Sequence, residues 1–412
     1  MPRRASLEKS RAKMIRRIEA VMVFPERFSD LPAATWPRLR ALLDVPTQAS
    51  DAINMTIGEP RHAFPAFVGD IIADNLAGFG KYPDNYGVPA LLDAIGGFLK
   101  RRYDLDIPAE QIINLNGTRE GLYNAAMALC REDKNGTPVI LTPNPFYQAY
   151  AAAALSVGAE AVYVPATAET GHLPDFHALS ADILDRTAIA YICSPANPQG
   201  AVADEEYWRN LIALAEKHDF IIFADECYSE IYRDVPPPGA LQVAAQMGAD
   251  PERVVIFHSL SKRSNLPGLR SGFCAGGPKS IARIRLLRAF AGAPLPEPLQ
   301  AVAAAAWNDE AHVIENRALY HRKYEIADDI LGHIEGYQSP QAGFFLWLPT
   351  GDGETSAVKL WQETGVRVLP GAYLSQDANG LNPGKKYIRV AMVAPTQEMQ
   401  RGLTLIRDCL YG

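Results

Sequence analysis

The feature that most constrains the fold is a series of short apolar runs, each of which ends in polar residues. Four of these runs are 139–142, 188–193, 220–224 and 253–258, and helix-like segments such as 204–217 separate most of them. Apolar strands that alternate with helices are typical of a largely parallel sheet covered by helices on both faces. The sequence therefore predicts an α/β fold.

Polar or aromatic side chains that could take part in binding or catalysis follow the ends of these runs. Tyr147, Asn197, Asp225 and Lys262 each come just after one of them. Ligands of parallel sheets bind beyond the carboxyl ends of the strands. We therefore expect these four residues, although far apart in the chain, to meet at one site.

The last of the four runs leads into a stretch that contains a lysine, several hydroxyl groups and an arginine. Ser259 and Ser261 precede Lys262, and Arg270 follows it. Partial burial lowers the pKa of an ammonium group, which frees the amine to form a Schiff base with an aldehyde. The arginine and the serine hydroxyls would hold a phosphate. Pyridoxal phosphate has this aldehyde and this phosphate, while a surface lysine in a polar loop is the alternative.

The same stretch resembles a known family signature. Ser-Leu-Ser-Lys at 259–262 and Gly-Leu-Arg-Ser-Gly at 268–272 resemble the cofactor-lysine signature of class I/II aminotransferases, which have fold type I. The family often has an aliphatic residue where Ser271 stands. Further family motifs follow in order from Gly58 to Arg389, so the resemblance covers nearly the whole chain after its basic N-terminus.

The resemblance implies a division of the chain into domains. A large domain that binds pyridoxal phosphate, with a mostly parallel sheet covered by helices, would span residues 70–305. A smaller α+β domain would combine residues 27–69 with residues 306–412. Residues 1–26 would form an N-terminal arm.

The resemblance also implies a role for each cofactor-binding residue. Lys262 would form the Schiff base and then move a proton at the substrate α-carbon, and Asp225 would keep the ring nitrogen protonated. Asn197 and Tyr228 would bond the phenolic oxygen of the ring. Tyr147 would lie on the ring face. The phosphate would be bound by Gly117, Thr118, Arg119, Ser259, Ser261 and Arg270. Tyr82 would bind the phosphate in the partner subunit, which implies a homodimer with shared active sites.

Some of these residues also have ordinary structural interpretations. The glycine turn at Gly117 opens a predicted helix, whose free N–H groups suit a phosphate, but a simply capped helix has the same pattern. Asp225 would otherwise be a turn former and Tyr147 a packed core aromatic. Tyr82 by itself is a loop tyrosine.

Two C-terminal stretches are predicted as strands that take part in substrate recognition. The first, 339–347, has an aromatic face, and the second, 387–391, places Arg389 among apolar residues. A buried arginine needs an anion. A neighbouring carboxylate is one partner, and the resemblance implies the α-carboxylate of the substrate, with Gly58 and Asn197 also at the substrate site.

Within the family, the lysine stretch and the segment after Ile57 look most like N-succinyldiaminopimelate aminotransferases of lysine biosynthesis. That likeness implies ping-pong transfer of an amino group from an L-amino acid, glutamate, to a 2-oxo acid such as N-succinyl-2-amino-6-oxopimelate. Arg61, Arg119 and Arg263 are candidates for binding a distal carboxylate. The alternatives are an aminotransferase of the aspartate, aromatic or alanine type, a C–S lyase that uses the same cofactor, and a non-catalytic regulator. The regulator is disfavoured because residues 1–26 are too short for a DNA-binding domain.

The composition limits which binding partners and which cellular compartment we expect. The net charge of -7 argues against a nucleic-acid-binding surface. No apolar run approaches the roughly 18 residues of a membrane span. The five cysteines form no CxxC pair and suggest free thiols in a reducing compartment. We therefore expect a cytoplasmic protein with small-molecule substrates, no metal, no nucleic acid and no membrane contact.

Overall fold

A computed structural model describes residues 28–29, 31–378 and 380–412, so the N-terminal arm predicted at 1–26 lies outside the described residues. Twelve strands occur in the described residues: β1 (Ile53–Asn54), β2 (Ile112–Leu115), β3 (Val139–Asn144), β4 (Glu160–Pro165), β5 (Thr187–Cys193), β6 (Ile221–Asp225), β7 (Val254–Ser259), β8 (Gly272–Gly276), β9 (Phe345–Pro349), β10 (Val366–Arg367), β11 (Leu369–Pro370) and β12 (Tyr387–Ala391).

Fourteen α-helices occur in the same residues. They are α1 (Thr35–Leu42), α2 (Val68–Asp74), α3 (Pro89–Tyr103), α4 (Thr118–Leu129), α5 (Gln148–Ser156), α6 (Ala181–Arg186), α7 (Glu205–His218), α8 (Ala240–Met247), α9 (Leu260–Arg263), α10 (Pro278–Ala291), α11 (Glu297–Asn308), α12 (Ala311–Leu331), α13 (Gly353–Thr364) and α14 (Thr396–Leu410). No helix in this part of the chain combines the length and the apolarity needed to cross a lipid bilayer.

Seven strands form the main sheet, in the order β2-β8-β7-β6-β5-β3-β4. All of them run parallel except β8, which pairs antiparallel with both of its neighbours. The α/β fold with a mostly parallel sheet is therefore confirmed. The parallel strands share one direction, so the carboxyl ends of β3, β5, β6 and β7 lie along one edge of the sheet.

Both faces of this sheet are buried, as the continuous apolar runs require. Along β6, Ile222 and Ala224 pack into one hydrophobic core, while Phe223 packs into a second core on the opposite face. Helix α7 covers the first face through Trp208, and α4 covers the second through Leu122. Strand residues alternate between the faces, so each side needs its own layer of helices.

The C-terminal part of the chain forms smaller sheets with a separate core. Strands β11, β12 and β9 form an antiparallel sheet, and β1 pairs with β10. The third core joins Ile53 and Met55, near the start of the described chain, to residues of α12, β12 and α14. The strand predicted over 339–347 is shorter than expected and begins at Phe345. Gly343 has a φ of +80° and donates its N–H to Ile231 O at 2.6 Å, so the chain turns there before the strand begins.

Candidate active site

A cavity of about 450 Å³ lies at the carboxyl edge of the main sheet. The strands place predicted residues there from distant parts of the sequence, because each leaves the sheet at the same edge. Twelve of the predicted site residues line this cavity: Gly58, Thr118, Arg119, Tyr147, Asn197, Asp225, Tyr228, Ser259, Ser261, Lys262, Arg270 and Arg389.

Lys262 lies in the short helix α9, directly after β7. Its Nζ donates a hydrogen bond to Gly58 O at 2.5 Å and lies 5.4 Å from the centre of the Phe344 ring. Burial lowers the pKa of this lysine to about 8, and the nearby Arg389 also lowers it. Lys262 therefore has a reactive, deprotonated amine at a pH well below the usual pKa of a lysine.

Asp225 is the last residue of β6, and its carboxylate is buried at the cavity wall. Its Oδ2 accepts a hydrogen bond from the Tyr150 hydroxyl at 2.8 Å. Burial raises the pKa of this carboxyl group. Within the described chain, no lysine, arginine or histidine forms an ion pair with it. A positively charged group in the cavity would therefore stabilise its ionised form.

A second group of cavity residues is suited to a phosphate. Gly117 precedes α4 with a φ of +80°, and a Cβ placed on it would overlap the guanidinium of Arg270. Arg270 Nη1 donates to Pro267 O at 2.8 Å, which holds the guanidinium beside the start of α4. Ser259 and Ser261 approach from the end of β7. Cationic, hydroxyl and helix N-terminal N–H groups together form an anion site.

Arg389 lies buried in β12 and faces the same cavity. Its Nη1 donates to Asn197 Oδ1 at 3.1 Å and its Nη2 to Thr56 O at 2.7 Å, whereas its Nε has no hydrogen-bond partner among the described residues. Burial lowers the pKa of Arg389 to about 10. The interpretation in which a neighbouring carboxylate pairs with Arg389 is wrong, because no Asp or Glu of the described chain forms an ion pair with it.

Two predicted residues do not line the cavity. Tyr82 is 100% exposed, and Gly117 lies behind Arg270. Arg119 does line it, and its Nε donates to the Tyr147 hydroxyl at 2.5 Å. Tyr228 is buried beside the rings of Phe344 and Phe345.

Of the three arginines considered for a distal carboxylate, Arg263 is a wrong choice. Its side chain is only 2% exposed, and its guanidinium packs between Phe98 and Trp307 while pairing with Glu310 at 2.9 Å. It faces the protein core because the first turn after β7 directs Lys262 and Arg263 in different directions. Arg61 pairs with Glu398 at 2.9 Å on the surface, away from the cavity lining.

The cavity also contains residues that the sequence did not single out. Cys227 Sγ lies 3.3 Å from Thr118 Oγ1, and Tyr150 supports Asp225. Their closeness in sequence to Asp225 and Tyr147 was the available signal. No comparable signal marked Trp36 or His172, because both reach the cavity from loops or helices outside the motifs.

The comparison with family models decides the family. The model described as aminotransferase class I and II matches residues 50–406. The chain belongs to this aminotransferase family. It is therefore a transaminase that uses pyridoxal phosphate.

Individual relatives agree with the family assignment. The LL-diaminopimelate aminotransferase of Dehalococcoides mccartyi is 30% identical over 398 residues, which cover 94% of this chain and 99% of the relative. A solved aminotransferase from Neisseria meningitidis is 38% identical, with a TM-score of 0.89 over 93% of this chain and 98% of its own. The aminotransferase AspB of Helicobacter pylori is 33% identical, with a TM-score of 0.84 over 94% of this chain and 99% of its own.

The cavity of this aminotransferase fits pyridoxal phosphate. The buried amine of Lys262 suits the aldehyde, and Arg270 at the start of α4 suits the phosphate. Asp225, which has no ion-pair partner among the described residues, suits a protonated ring nitrogen. When bound, the cofactor supplies a carbonyl that accepts the amino group and a ring that withdraws electrons from the substrate α-carbon. Among the described residues, no group of three or more His, Cys, Asp or Glu side chains is arranged to hold a metal ion.

Proposed function

We propose that this aminotransferase moves the amino group of an L-amino acid, glutamate, to a 2-oxo acid of the diaminopimelate series by a ping-pong mechanism. The observation that carries the proposal is the buried guanidinium of Arg389, which forms no ion pair with a described residue and lies in the same cavity as the amine of Lys262. An arginine fork at this depth binds a carboxylate well. A substrate held there by its α-carboxylate would bring its α-carbon towards Lys262.

In this proposal, the chain's own residues orient the substrate and move one proton. Asn197 and the Thr56 carbonyl hold the Arg389 guanidinium in place with two of its five N–H groups, which leaves the others for the substrate. Lys262 takes the proton from the substrate α-carbon, because its lowered pKa makes it a base near neutral pH. The carboxylate of Asp225, oriented by Tyr150, would keep the ring nitrogen of the bound cofactor protonated.

The acceptor we propose is N-succinyl-2-amino-6-oxopimelate, which would place the enzyme in lysine biosynthesis. A second candidate acceptor is the 2-oxo acid that becomes LL-diaminopimelate on amination, which the names of several relatives favour. Both compounds carry a carboxylate far from the reacting carbon. Among the three arginines considered for this distal group, Arg119 alone lines the cavity, and we propose it for that role.

We further propose a homodimer with shared active sites. Tyr82 supports this proposal because its side chain is fully exposed and outside its own cavity, where it is free to reach a second subunit. The side chains of Phe79 and Phe290 are also exposed, at 52% and 88%. The proposed two domains, 70–305 and 27–69 with 306–412, are supported by the separate cores of the large and small sheets. Five free thiols support a cytoplasmic location.

Subunit mixing tests the shared site. Tyr82→Ala and Lys262→Ala should each be inactive alone, and their mixed dimers should regain activity. One site of such a dimer combines an intact Lys262 with an intact Tyr82, whereas the other site carries both defects. Mixed dimers that stay inactive, although native mass spectrometry detects them, would contradict a role for Tyr82 in the partner's site.

The substrate proposal is tested by following labelled nitrogen. L-[15N]glutamate is incubated with the holoenzyme and either N-succinyl-2-amino-6-oxopimelate or the 2-oxo acid of LL-diaminopimelate, and products are analysed by mass spectrometry. Label in the succinylated amine supports the first candidate, and label in the free diamine supports the second. Pyruvate and ammonia formed from cysteine-type substrates without an acceptor would instead identify a lyase.

A further inference from the structure

A groove of about 780 Å³ adjoins the active-site cavity, and the roles assigned so far leave it unused. Trp36 and Ile57 line both the cavity and the groove, so these two residues form the boundary between them. Thr56 also lines the groove, and its carbonyl oxygen accepts a hydrogen bond from Arg389 at 2.7 Å. The groove therefore begins beside the guanidinium that we propose for the α-carboxylate of the substrate.

Helix α1 forms one wall of this groove. Trp36, Leu39 and Arg40 all line the groove. They are three and four residues apart, so they share one face of the helix. On that face Leu39 packs against Leu369 and Tyr373 in a small hydrophobic core. This packing seats the helix on the smaller sheets and places Arg40 over the groove.

The pair of strands β1 and β10 forms the floor of the groove. Ile53 pairs with Val366, and both side chains are buried in the core of the smaller sheets. The next residues along, Asn54 and Arg367, pair with each other. Successive side chains of a strand leave on opposite faces, so Asn54 and Arg367 project away from that core. Both of them line the groove.

The groove contains two arginines without an anionic partner. Arg40 is exposed and Arg367 is half-buried, and neither forms an ion pair with a described residue. The Nε of Arg367 is buried without a hydrogen-bond partner in the described chain, and its Cζ lies 4.2 Å from the centre of the Trp361 ring. Asp44 also lines the groove, so its described side chains carry two positive charges and one negative charge. This excess of positive charge favours an anionic ligand.

The groove is within reach of a substrate that is held at Arg389. Leu369 pairs directly with Arg389, and Arg367 lies two residues before Leu369. This register places the Cα atoms of Arg367 and Arg389 about 8 Å apart. In N-succinyl-2-amino-6-oxopimelate, the terminal carboxylate of the succinyl group lies about 11 Å from the oxo carbon when the chain is extended. An acyl group of this length therefore spans from the cavity into the groove.

We propose that the groove is a second anion-binding subsite, in which Arg40 and Arg367 bind the terminal carboxylate of an acyl group on the substrate. Trp36 and Ile57 contact the methylene groups of that acyl group at the boundary with the cavity. This inference rests on the proposed function and deepens it, because it selects 2-oxo acids and amino acids that carry an anionic acyl group. The unacylated 2-oxo acid has no group that extends into the groove.

The test measures the binding of unreactive acids to the holoenzyme by isothermal titration calorimetry. N-succinyl-2-aminopimelate carries the acyl group but no oxo group, whereas the acyl group of N-butanoyl-2-aminopimelate has the same number of carbon atoms and no terminal carboxylate. Arg40→Gln and Arg367→Gln each remove one guanidinium. Arg322→Gln is the matched control, because Arg322 is exposed on α12, forms no ion pair with a described residue and lines neither the cavity nor the groove.

We expect wild-type protein and Arg322→Gln to bind the succinyl compound more tightly than the butanoyl compound. Arg40→Gln and Arg367→Gln should each weaken binding of the succinyl compound about tenfold and binding of the butanoyl compound less than twofold. Equal affinity of wild-type protein for both compounds would overturn the inference. Equal weakening of both compounds by the variants, or no weakening of either, would overturn it as well.

A variant that does not fold leaves the test intact. Arg367 contacts Trp361, whereas Arg40 is exposed, so Arg40→Gln decides alone if Arg367→Gln does not fold. The response of the cofactor absorbance to L-glutamate, recorded on the same wild-type sample, tests the proposed function separately. A holoenzyme that responds to glutamate but does not distinguish the two acyl compounds refutes the subsite and leaves the transamination in place.

Discussion

Gly117→Ala is the substitution that most specifically challenges the proposed phosphate site. Gly117 has φ +80° and ψ 151°, a backbone region used almost exclusively by glycine. The new methyl group would overlap the Arg270 guanidinium, which would have to leave the start of α4. The methyl group would thus remove a cationic donor from the phosphate site without changing any polar side chain.

The size of the effect follows from the contacts that are lost. Hydrogen bonds to a charged group contribute about 1.5–3 kcal/mol, so the dissociation constant for pyridoxal phosphate should rise about 10- to 150-fold. Backbone strain should also destabilise the fold by about 1–3 kcal/mol. Gly158→Ala is the matched control, because Gly158 has a φ of +68° but nothing lies within 4 Å of where its Cβ would be. It should lose stability and keep cofactor affinity.

The assay titrates each apoprotein with pyridoxal phosphate and follows the visible absorbance, while thermal unfolding is recorded by circular dichroism. Cofactor binding by Gly117→Ala with wild-type affinity would refute the placement of Arg270 at the phosphate. Equal loss of affinity in Gly158→Ala would refute it as well, because the loss would then come from backbone strain alone.

Two further predictions concern the substrate and the lysine. Arg389→Lys should lower kcat/KM for both the amino donor and the 2-oxo acid about 10- to 150-fold, because an ammonium group cannot replace the arginine fork. Steady-state kinetics measure this, with Arg61→Lys as a surface control. An unchanged kcat/KM in Arg389→Lys would contradict the role of Arg389. The rate at which the apoprotein captures pyridoxal phosphate should rise with pH and level off just above pH 8, because burial lowers the pKa of Lys262 to about 8 and only the deprotonated amine attacks. Stopped-flow absorbance measures this rate, and a rise that continues to pH 10.5 would mean that the lysine has its ordinary pKa.

Much of the fold could be predicted because the main sheet is buried on both faces. Four of its seven strands, β3, β5, β6 and β7, are apolar runs that begin and end within two residues of the predicted bounds, as 188–193 does against β5. No bounds were predicted for the other three. Site residues at or just after the strand ends, such as Asp225 and Lys262, could be predicted for the same reason. The end of a parallel strand fixes the edge of the sheet, and therefore the site.

The parts that could not be predicted depend on contacts between distant segments. Arg389 could be recognised as needing an anion, but its hydrogen bonds to Asn197 and the Thr56 carbonyl join three separate stretches. Arg263, adjacent to the catalytic lysine, proved to face the core because Phe98 and Trp307 form a niche for it. His172 reaches the cavity through a loop that has no periodic pattern.

The most direct test of transamination at Lys262 is the absorption spectrum of the holoenzyme during titration with L-glutamate. We predict that glutamate removes the visible band of the bound cofactor and that 2-oxoglutarate restores it. Lys262→Ala should retain cofactor but fail to complete turnover, whereas Lys279→Ala, at an exposed helix start, should behave as wild type. A visible band that no amino donor alters, or normal turnover by Lys262→Ala, would contradict the account.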